Sequence, residues 1–330
     1  MEEKQILFND VARRALAEYD LKGYTLMFIW HSDNVTFKVE GPGLGAYLLR
    51  IHVPVSRAMG DHGADARAVN SELLWLEALS QETDLVLQKP VRNRAGALVT
   101  QVLAKHAALP VNCTLIHWLD GQPYQRDLES GQTAHQIGEI LAKLHTHASQ
   151  WEIPEGFKRP KRDTGYFAGA LRALQPALKD GRVSPSDYAE FETSIALLTE
   201  RLCSLAEQRQ THGLMHADTH KGNMLYHDGK IRLIDFSFCA FGNFMFDLGI
   251  CFSDMKESLH RAFLAGYQSL RPLPDDHQRL IEGFFVGSMV GTFSYWVANP
   301  HTQEILVRKV PQIARDYAVK FNRGEYFWFS

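Results

Sequence analysis

The chain has 330 residues, 45% of them hydrophobic and 22% charged, with a net charge of −3 at neutral pH. That is apolar material for one large core or two moderate ones, and so even a balance offers no electrostatic hold on nucleic acid or an anionic membrane surface. Cys113, Cys203, Cys239 and Cys251 show no CxxC spacing, no secretory leader is read, and no apolar run reaches the roughly 20 residues that span a bilayer, so a cytoplasmic protein without a transmembrane helix is expected.

Ile6, Val11, Ala12, Ala15 and Leu16 recur at helical spacing and predict a helix over residues 2–21. Three strands follow at 24–30, 35–40 and 46–52, separated by the turns His31-Ser-Asp-Asn34 and Gly41-Pro-Gly-Leu-Gly45. A helix over 65–79 carries Leu73, Leu76, Ala78 and Leu79 as an apolar stripe, and strands are expected at 85–88, 98–103 and 113–119. Ile137, Ile140, Leu141 and Leu144 mark a helix over 132–147. Next, Phe157-Lys-Arg-Pro-Lys-Arg162 concentrates four positive charges; a solvated surface loop is expected, with docking of an anionic partner as the sharper alternative. Helices over 166–179 and 186–208 come before the most informative stretch, and helices over 254–270, 275–297 and 302–321 come after it. Phe284, Phe285, Phe293, Tyr295, Trp296 and the closing Phe327-Trp-Phe329 are expected mostly as core.

That stretch is Leu214-Met-His-Ala-Asp-Thr-His-Lys-Gly-Asn-Met-Leu-Tyr226, followed by Ile231-Arg-Leu-Ile-Asp-Phe-Ser237. Phosphoryl transfer needs a group that orients the attacking hydroxyl and takes its proton, and hard oxygens that hold a divalent cation. Asp218 suits the first task; the amide oxygen of Asn223 and the carboxylate of Asp235 suit the second. Asn223 lies five residues after Asp218, so one loop carries both. The apolar pairs Met224-Leu225 and Leu233-Ile234 flank the polar turn His227-Asp-Gly-Lys230, which reads as a short hairpin returning Asp235 to that loop. A competing reading places His216, Asp218 and His220 at alternate positions on one strand face, as ligands of a zinc hydrolase.

In this order the residues resemble the aminoglycoside phosphotransferase and choline kinase-like family, relatives of the protein kinases, whose catalytic loop reads His-x-Asp-x-x-x-x-Asn and whose metal loop begins Asp-Phe. Here these are His216, Asp218, Asn223, Asp235 and Phe236. The resemblance implies an α+β, bilobal protein-kinase-like fold: an antiparallel β-sheet N-lobe with one main helix over residues 1–119, and a mostly helical C-lobe over 120–330. It implies ATP and Mg2+ as cofactors, and a structural Asp247 bracing the catalytic loop. His145 then belongs to a buried central helix rather than to a metal site.

Carried along the chain, the same resemblance makes Arg50 the cation beside the α- and β-phosphates, where protein kinases have lysine. Glu72 becomes its partner on the helix that follows, and Glu77 faces elsewhere. The phosphates would meet the turn of Ser32, Asp33 and Asn34, so the glycines at 41, 43 and 45 are read as a plain hairpin. The strand ending near residue 119 becomes the hinge, where Ile116 and Trp118 would bind adenine through backbone groups.

The implied reaction is transfer of the γ-phosphate of ATP to a hydroxyl of a small molecule, an amino alcohol or aminoglycoside among the options. Aromatic residues with Glu282 or Asp316 would favour an amino-bearing acceptor. A protein serine/threonine kinase shares these residues, homoserine kinase and stress-response kinase relatives carry a helix similar to Ser71-Glu-Leu-Leu-Trp75, and Arg50 leaves a nucleotide-sensing pseudokinase open. No feature of the chain specifies an oligomeric state.

Overall fold

A computed structural model describes the backbone of residues 2–31, 34–43, 45–53, 65–103, 110–205 and 208–329, with side chains from residue 8 onward. It divides into two compact units, Met1–Asp120 with Ile153–Arg159, and Gly121–Glu152 with Pro160–Ser330.

The first unit contains α1 (Glu2–Leu16), β1 (Thr25–His31), β2 (Val35–Gly41), β3 (Gly45–Ile51), α2 (Ala66–Glu82), β4 (Pro90–Val91), β5 (Thr100–Val102) and β6 (Val111–His117). The strands form one antiparallel sheet in the order β1-β2-β3-β6-β4, with β5 on the same partner β6. Strand alternation sorts the side chains onto two faces. Val35, Phe37, Val39, Leu49 and Leu115 pack with Val11, Ala12, Ala15 and Leu16 of α1. Leu48 and Ile116 point the other way, to Leu73 and Leu98. Gly41 pairs with Gly45 across the β2–β3 turn, where Gly43 and Gly45 have φ of 73° and 72°; these glycines close a hairpin.

Several boundaries differ from expectation. The first helix stops at Leu16 rather than 21, because Glu18 and Tyr19 bond back three residues and the Tyr19 hydroxyl turns inward to accept from Thr100 Oγ1. No strand forms at 85–88: the Thr83 hydroxyl donates to Leu79 O and accepts from Leu85 N–H, holding that segment to the end of α2, and pairing begins only at Pro90.

The second unit contains β7 (Gln122–Pro123), α3 (Gly131–Gln150), α4 (Thr164–Ala173), α5 (Gln175–Lys179), α6 (Pro185–Ser204), β8 (His212–Met215), β9 (Met224–His227), β10 (Lys230–Leu233), β11 (Ala240–Asn243), α7 (Met245–Asp254), α8 (His260–Gln268), α9 (His277–Ala298), α10 (Gln303–Ile313) and α11 (Val319–Asn322). Its strands form two small sheets, β10-β9-β7 and β11-β8. The helix expected over 166–179 breaks at Leu174, since Pro176 starts α5 afresh. The one expected over 254–270 is replaced by α7, a 3-10 turn at Glu257–Leu259, and α8. α9 has the length and apolar composition of a membrane span, but 67% of its apolar window is buried within the protein. Its companions are α4, α6, α7 and α10, so it serves as a core helix.

α3 and α8 meet backbone to backbone. A Cβ on Gly138 would stand 2.1 Å from Phe263 O, and one on Gly266 would stand 2.0 Å from His135 O. Gly266→Ala is therefore expected to force the helices apart and cost about 3 kcal/mol of stability. A urea midpoint within error of the parent would refute the close approach.

Candidate active site

β8 delivers His216 and Ala217 into a loop with an unusual backbone: Ala217 has φ 63°, a left-handed conformation that costs a residue bearing a Cβ about 1–2 kcal/mol. Asp247, fully buried in the first turn of α7, holds it there. Its carboxylate accepts from His216 N–H at 2.9 Å, Ala217 N–H at 2.7 Å and His145 Nε2 at 3.1 Å. Thr219 Oγ1 closes the bracket, donating to Asp247 O at 2.7 Å. His145 itself is buried and neutral, its pKa held down chiefly by burial, so its Nδ1 accepts from the Tyr267 hydroxyl at 3.0 Å.

Asp218 follows. Asn223 Nδ2 donates to its Oδ2 at 2.7 Å and to its carbonyl at 2.9 Å. His220 Nε2 lies 3.5 Å from Oδ1. Burial pushes the Asp218 pKa up, but His220, His216 and Asn223 more than offset it, and the net shift is downward. The carboxylate is thus ionised at neutral pH. In return Asp218 pushes the His220 pKa up. His220→Asn should therefore move the acidic limb of kcat/KM to higher pH, since Asp218 loses the neighbour that favours its charge. An unmoved limb would show that His220 does not tune this carboxylate.

Asn223 and Asp235 are brought together by the hairpin. Met224 pairs with Leu233, and Ile234 N–H donates to Asn223 O at 2.9 Å, extending the ladder by one rung. The turn has Asp228 at φ 47° and Gly229 at φ 78°, the paired left-handed residues of a type I′ turn. Asp235 also lies in the left-handed region at φ 62°, with Oδ1 accepting from Ser237 Oγ at 2.5 Å. Because the Asn223 amide nitrogen is spent on Asp218, its oxygen is left to face a cation. An amide oxygen and a carboxylate fit a hard divalent ion that draws its other ligands from phosphate and water.

The zinc reading does not survive this geometry. His216 is buried with both nitrogens engaged, Nε2 donating to Ile234 O at 3.0 Å and Nδ1 accepting from Asp218 N–H at 3.2 Å. Among the described residues no group of three or more His, Cys, Asp or Glu is placed to hold a metal.

In the first unit, Arg50 Nη1 meets Glu72 Oε1 at 2.7 Å, with side chains 4% and 2% exposed. Glu77 instead pairs with Arg92 at 2.6 Å. Sequence reasoning missed two supporting residues. Arg50 Nε donates to Thr114 Oγ1 at 3.2 Å, so that hydroxyl gives its own proton to His52 Nε2 at 3.1 Å. Burial and then Arg50 hold the His52 pKa well down, which keeps its ring neutral. The signal was available in principle: Thr114 is the cross-strand partner of Arg50, and His52 lies two residues along the same face.

The other nucleotide-site expectations fare differently. Ser32 and Asp33 lie outside the described residues; Asn34 is buried at the start of β2. Ile116 joins the ladders to both β3 and β4, and its side chain packs with Leu73 and Leu98. The Trp118 N–H expected to face adenine donates to Ala46 O at 2.9 Å, completing the sheet edge. The acids proposed for the acceptor are also otherwise occupied. Glu282 is buried and accepts from the N–H groups of Phe327 and Trp328, both at 2.8 Å, securing the closing aromatic segment; Asp316 pairs with Arg315 at 2.8 Å.

The basic run is solvated only in part. Lys158 and Lys161 are exposed, Lys158 pairing with Asp65 at 2.6 Å, whereas Arg159 is buried and donates to Ala68 O at 3.0 Å, and Arg162 is buried against Tyr166. A further position went unnoticed: Lys221, inside the loop of Asp218 and Asn223, reaches Glu129 at 2.5 Å and Asp254 at 3.6 Å. Glu129 is 92 residues away, so no local pattern announces the pair.

Comparison with known proteins agrees with this geometry. The profile of the phosphotransferase enzyme family matches residues 26–280. A homoserine kinase of Neisseria meningitidis serogroup B is 27% identical over 245 residues, covering 69% of this chain and 72% of that protein. A homoserine kinase of Methylobacterium radiotolerans is 24% identical over 287 residues, covering 81% and 79%. Among solved structures, a microcompartment-associated aminopropanol kinase superposes with a TM-score of 0.75 at 23% identity over 96% of this chain and 98% of that one. An amicoumacin kinase in complex with AMP-PNP, Ca2+ and Ami gives 0.76 at 19% identity over 97% and 94%. These likenesses show an α+β, protein-kinase-like fold.

Proposed function

Because the chain belongs to the phosphotransferase enzyme family, a kinase moving a phosphoryl group from ATP to the hydroxyl of a small molecule, we propose that Asp218 is its base and that the acceptor is a small amino-bearing alcohol of the homoserine type. The observation that carries this is the single loop in which the ionised Asp218 carboxylate is held 2.7 Å from the Asn223 amide, whose oxygen remains for a cation beside Asp235. Asp218 orients the acceptor hydroxyl and takes its proton as the oxygen attacks. Asn223 and Asp235 would hold a divalent cation, magnesium in this reading, which would supply positive charge to neutralise phosphate oxygens. Arg50, fixed by Glu72, meets the α- and β-phosphates, and the intact pair favours an active kinase over a nucleotide-sensing relic.

The acceptor class rests on homoserine kinases among the sequence relatives and on an aminopropanol kinase among the structural ones. ATP consumption is measured with L-homoserine, 3-amino-1-propanol, an aminoglycoside and a neutral sugar alcohol. Turnover with L-homoserine or the amino alcohol is expected. Turnover with the sugar alcohol alone, or with none, removes the proposal.

A further inference from the structure

Arg162 ends the basic run and is 4% exposed. Its backbone is fixed to β11, the partner of the strand that leads to Asp218: Arg162 N–H donates to Phe241 O at 2.7 Å, and Lys161 forms a parallel bridge to Phe241. In the β11–β8 pair, Phe241 sits opposite Leu214 and Ala240 opposite Met215, three residues before Asp218. A Cβ on Gly242 would stand 2.5 Å from Met215 Cε and 3.4 Å from Arg162 Cβ. The Arg162 side chain therefore leaves its backbone alongside the approach to the catalytic loop.

Among the described residues its guanidinium meets no acid and no hydrogen-bond acceptor. It lies 4.3 Å over the Tyr166 ring, Nε is buried without a partner, and no hydrogen bond or ion pair reaches the group among the described residues. Other buried arginines are served: Arg50 by Glu72, Arg159 by Ala68 O, Arg271 by Thr146, Ser149 and Gln210 O. A ring face recovers only part of what a largely desolvated cation loses, and the terminal nitrogens, unlike Nε, keep access to solvent, so the group favours an incoming anion. The platform is also fixed. Tyr166 N–H bonds Asp163, and the Tyr166 hydroxyl lies 2.3 Å from where a Gly291 Cβ would be, pressed on α9. A planar fork held in one plane with its donors unspent matches a carboxylate by two parallel hydrogen bonds.

We propose that Arg162 binds the carboxylate of the phosphate acceptor, so that the enzyme selects a hydroxylated amino acid over an amino alcohol lacking that group. This rests on the functional reading above. The unserved guanidinium favours an anion, and because its backbone is bonded to β11, the partner of the strand that leads into the Asp218 loop, we assign that anion to the acceptor. A nucleotide phosphate has the same affinity for the fork and is separated by the test.

The test is steady-state kinetics of the full chain and its Arg162→Gln and Arg162→Lys variants with L-homoserine and with 3-amino-1-propanol, the same molecule without its carboxylate. The wild type is expected to prefer L-homoserine. In Arg162→Gln, kcat/KM for L-homoserine should fall about 100-fold or more, mainly through KM, with 3-amino-1-propanol changed by less than about 3-fold and KM for ATP unmoved. Arg162→Lys should recover part of the loss. Equal losses for both acceptors, a raised KM for ATP instead, or a wild type indifferent to the carboxylate would each overturn the inference. A wild type inert toward both acceptors would remove the functional reading alone; calorimetry with L-homoserine then decides, binding lost in Arg162→Gln supporting the inference and no binding by the wild type ending it.

Discussion

Asp218→Asn is expected to lower kcat by about 10²–10⁴-fold while leaving the affinity for ATP within a few-fold of the parent, the range spanned by loss of a general base. The substitution keeps the size of the side chain and inverts its chemistry. Asp218 now accepts from Asn223 Nδ2 at 2.7 Å and faces His220 Nε2 at 3.5 Å. An amide at this position satisfies only one of these donors and cannot hold the proton of an attacking hydroxyl. Single-turnover phosphorylation, with nucleotide binding followed separately, distinguishes loss of chemistry from loss of binding. Full turnover in the variant would mean that the proton leaves by another route and that Asp218 only positions its neighbours.

Asp247→Ala should cost the most stability of any single change in this region. The carboxylate is wholly buried and accepts three N–H groups, from His216, Ala217 and His145. Each donor left unsatisfied in the core costs about 1–3 kcal/mol, and breaking a buried charged cluster by removing one member typically costs about 3–5 kcal/mol. Ala217 would also lose the support for its left-handed backbone, so the catalytic loop should relax and kcat should fall with stability. A urea titration of the variant, read by near-ultraviolet circular dichroism, measures the first effect. A loss below about 1 kcal/mol would show that the bracket is dispensable.

These two residues also mark what the sequence disclosed. Asp218, Asn223 and Asp235 were legible because their geometry is local: one loop of fixed length and one hairpin with a recognisable turn. Arg50 and Glu72 were legible by order, strand and then helix, and the structure pairs them directly. A role for Asp247 was anticipated, but its clasp on His145 across 102 residues was not. Burial misled most. Arg159 and Arg162 read as solvated because charge in a Pro-containing run usually is, and Glu282 read as an acceptor contact because its use as a cap for Phe327 and Trp328 depends on a return of the chain 45 residues later. The Trp118 N–H shows the same limit, since only the sheet edge reveals that Ala46 has claimed it.

The β9–β10 hairpin sets a rule for changing the length of this protein. Residues added two to each strand would keep both the pairing and the alternation of the rungs and leave Asn223 opposite Ile234. A residue added to one strand alone would turn every following side chain over and carry Asp235 out of register with Asn223. Chain inserted between Asp228 and Gly229 lies beyond the last rung, His227 with Lys230, and gives up the tether from Gln136 to the tip and the contact of His227 with Asp228. That tip is where a fluorophore or an affinity tag can be spliced into the molecule with the chemistry left in register.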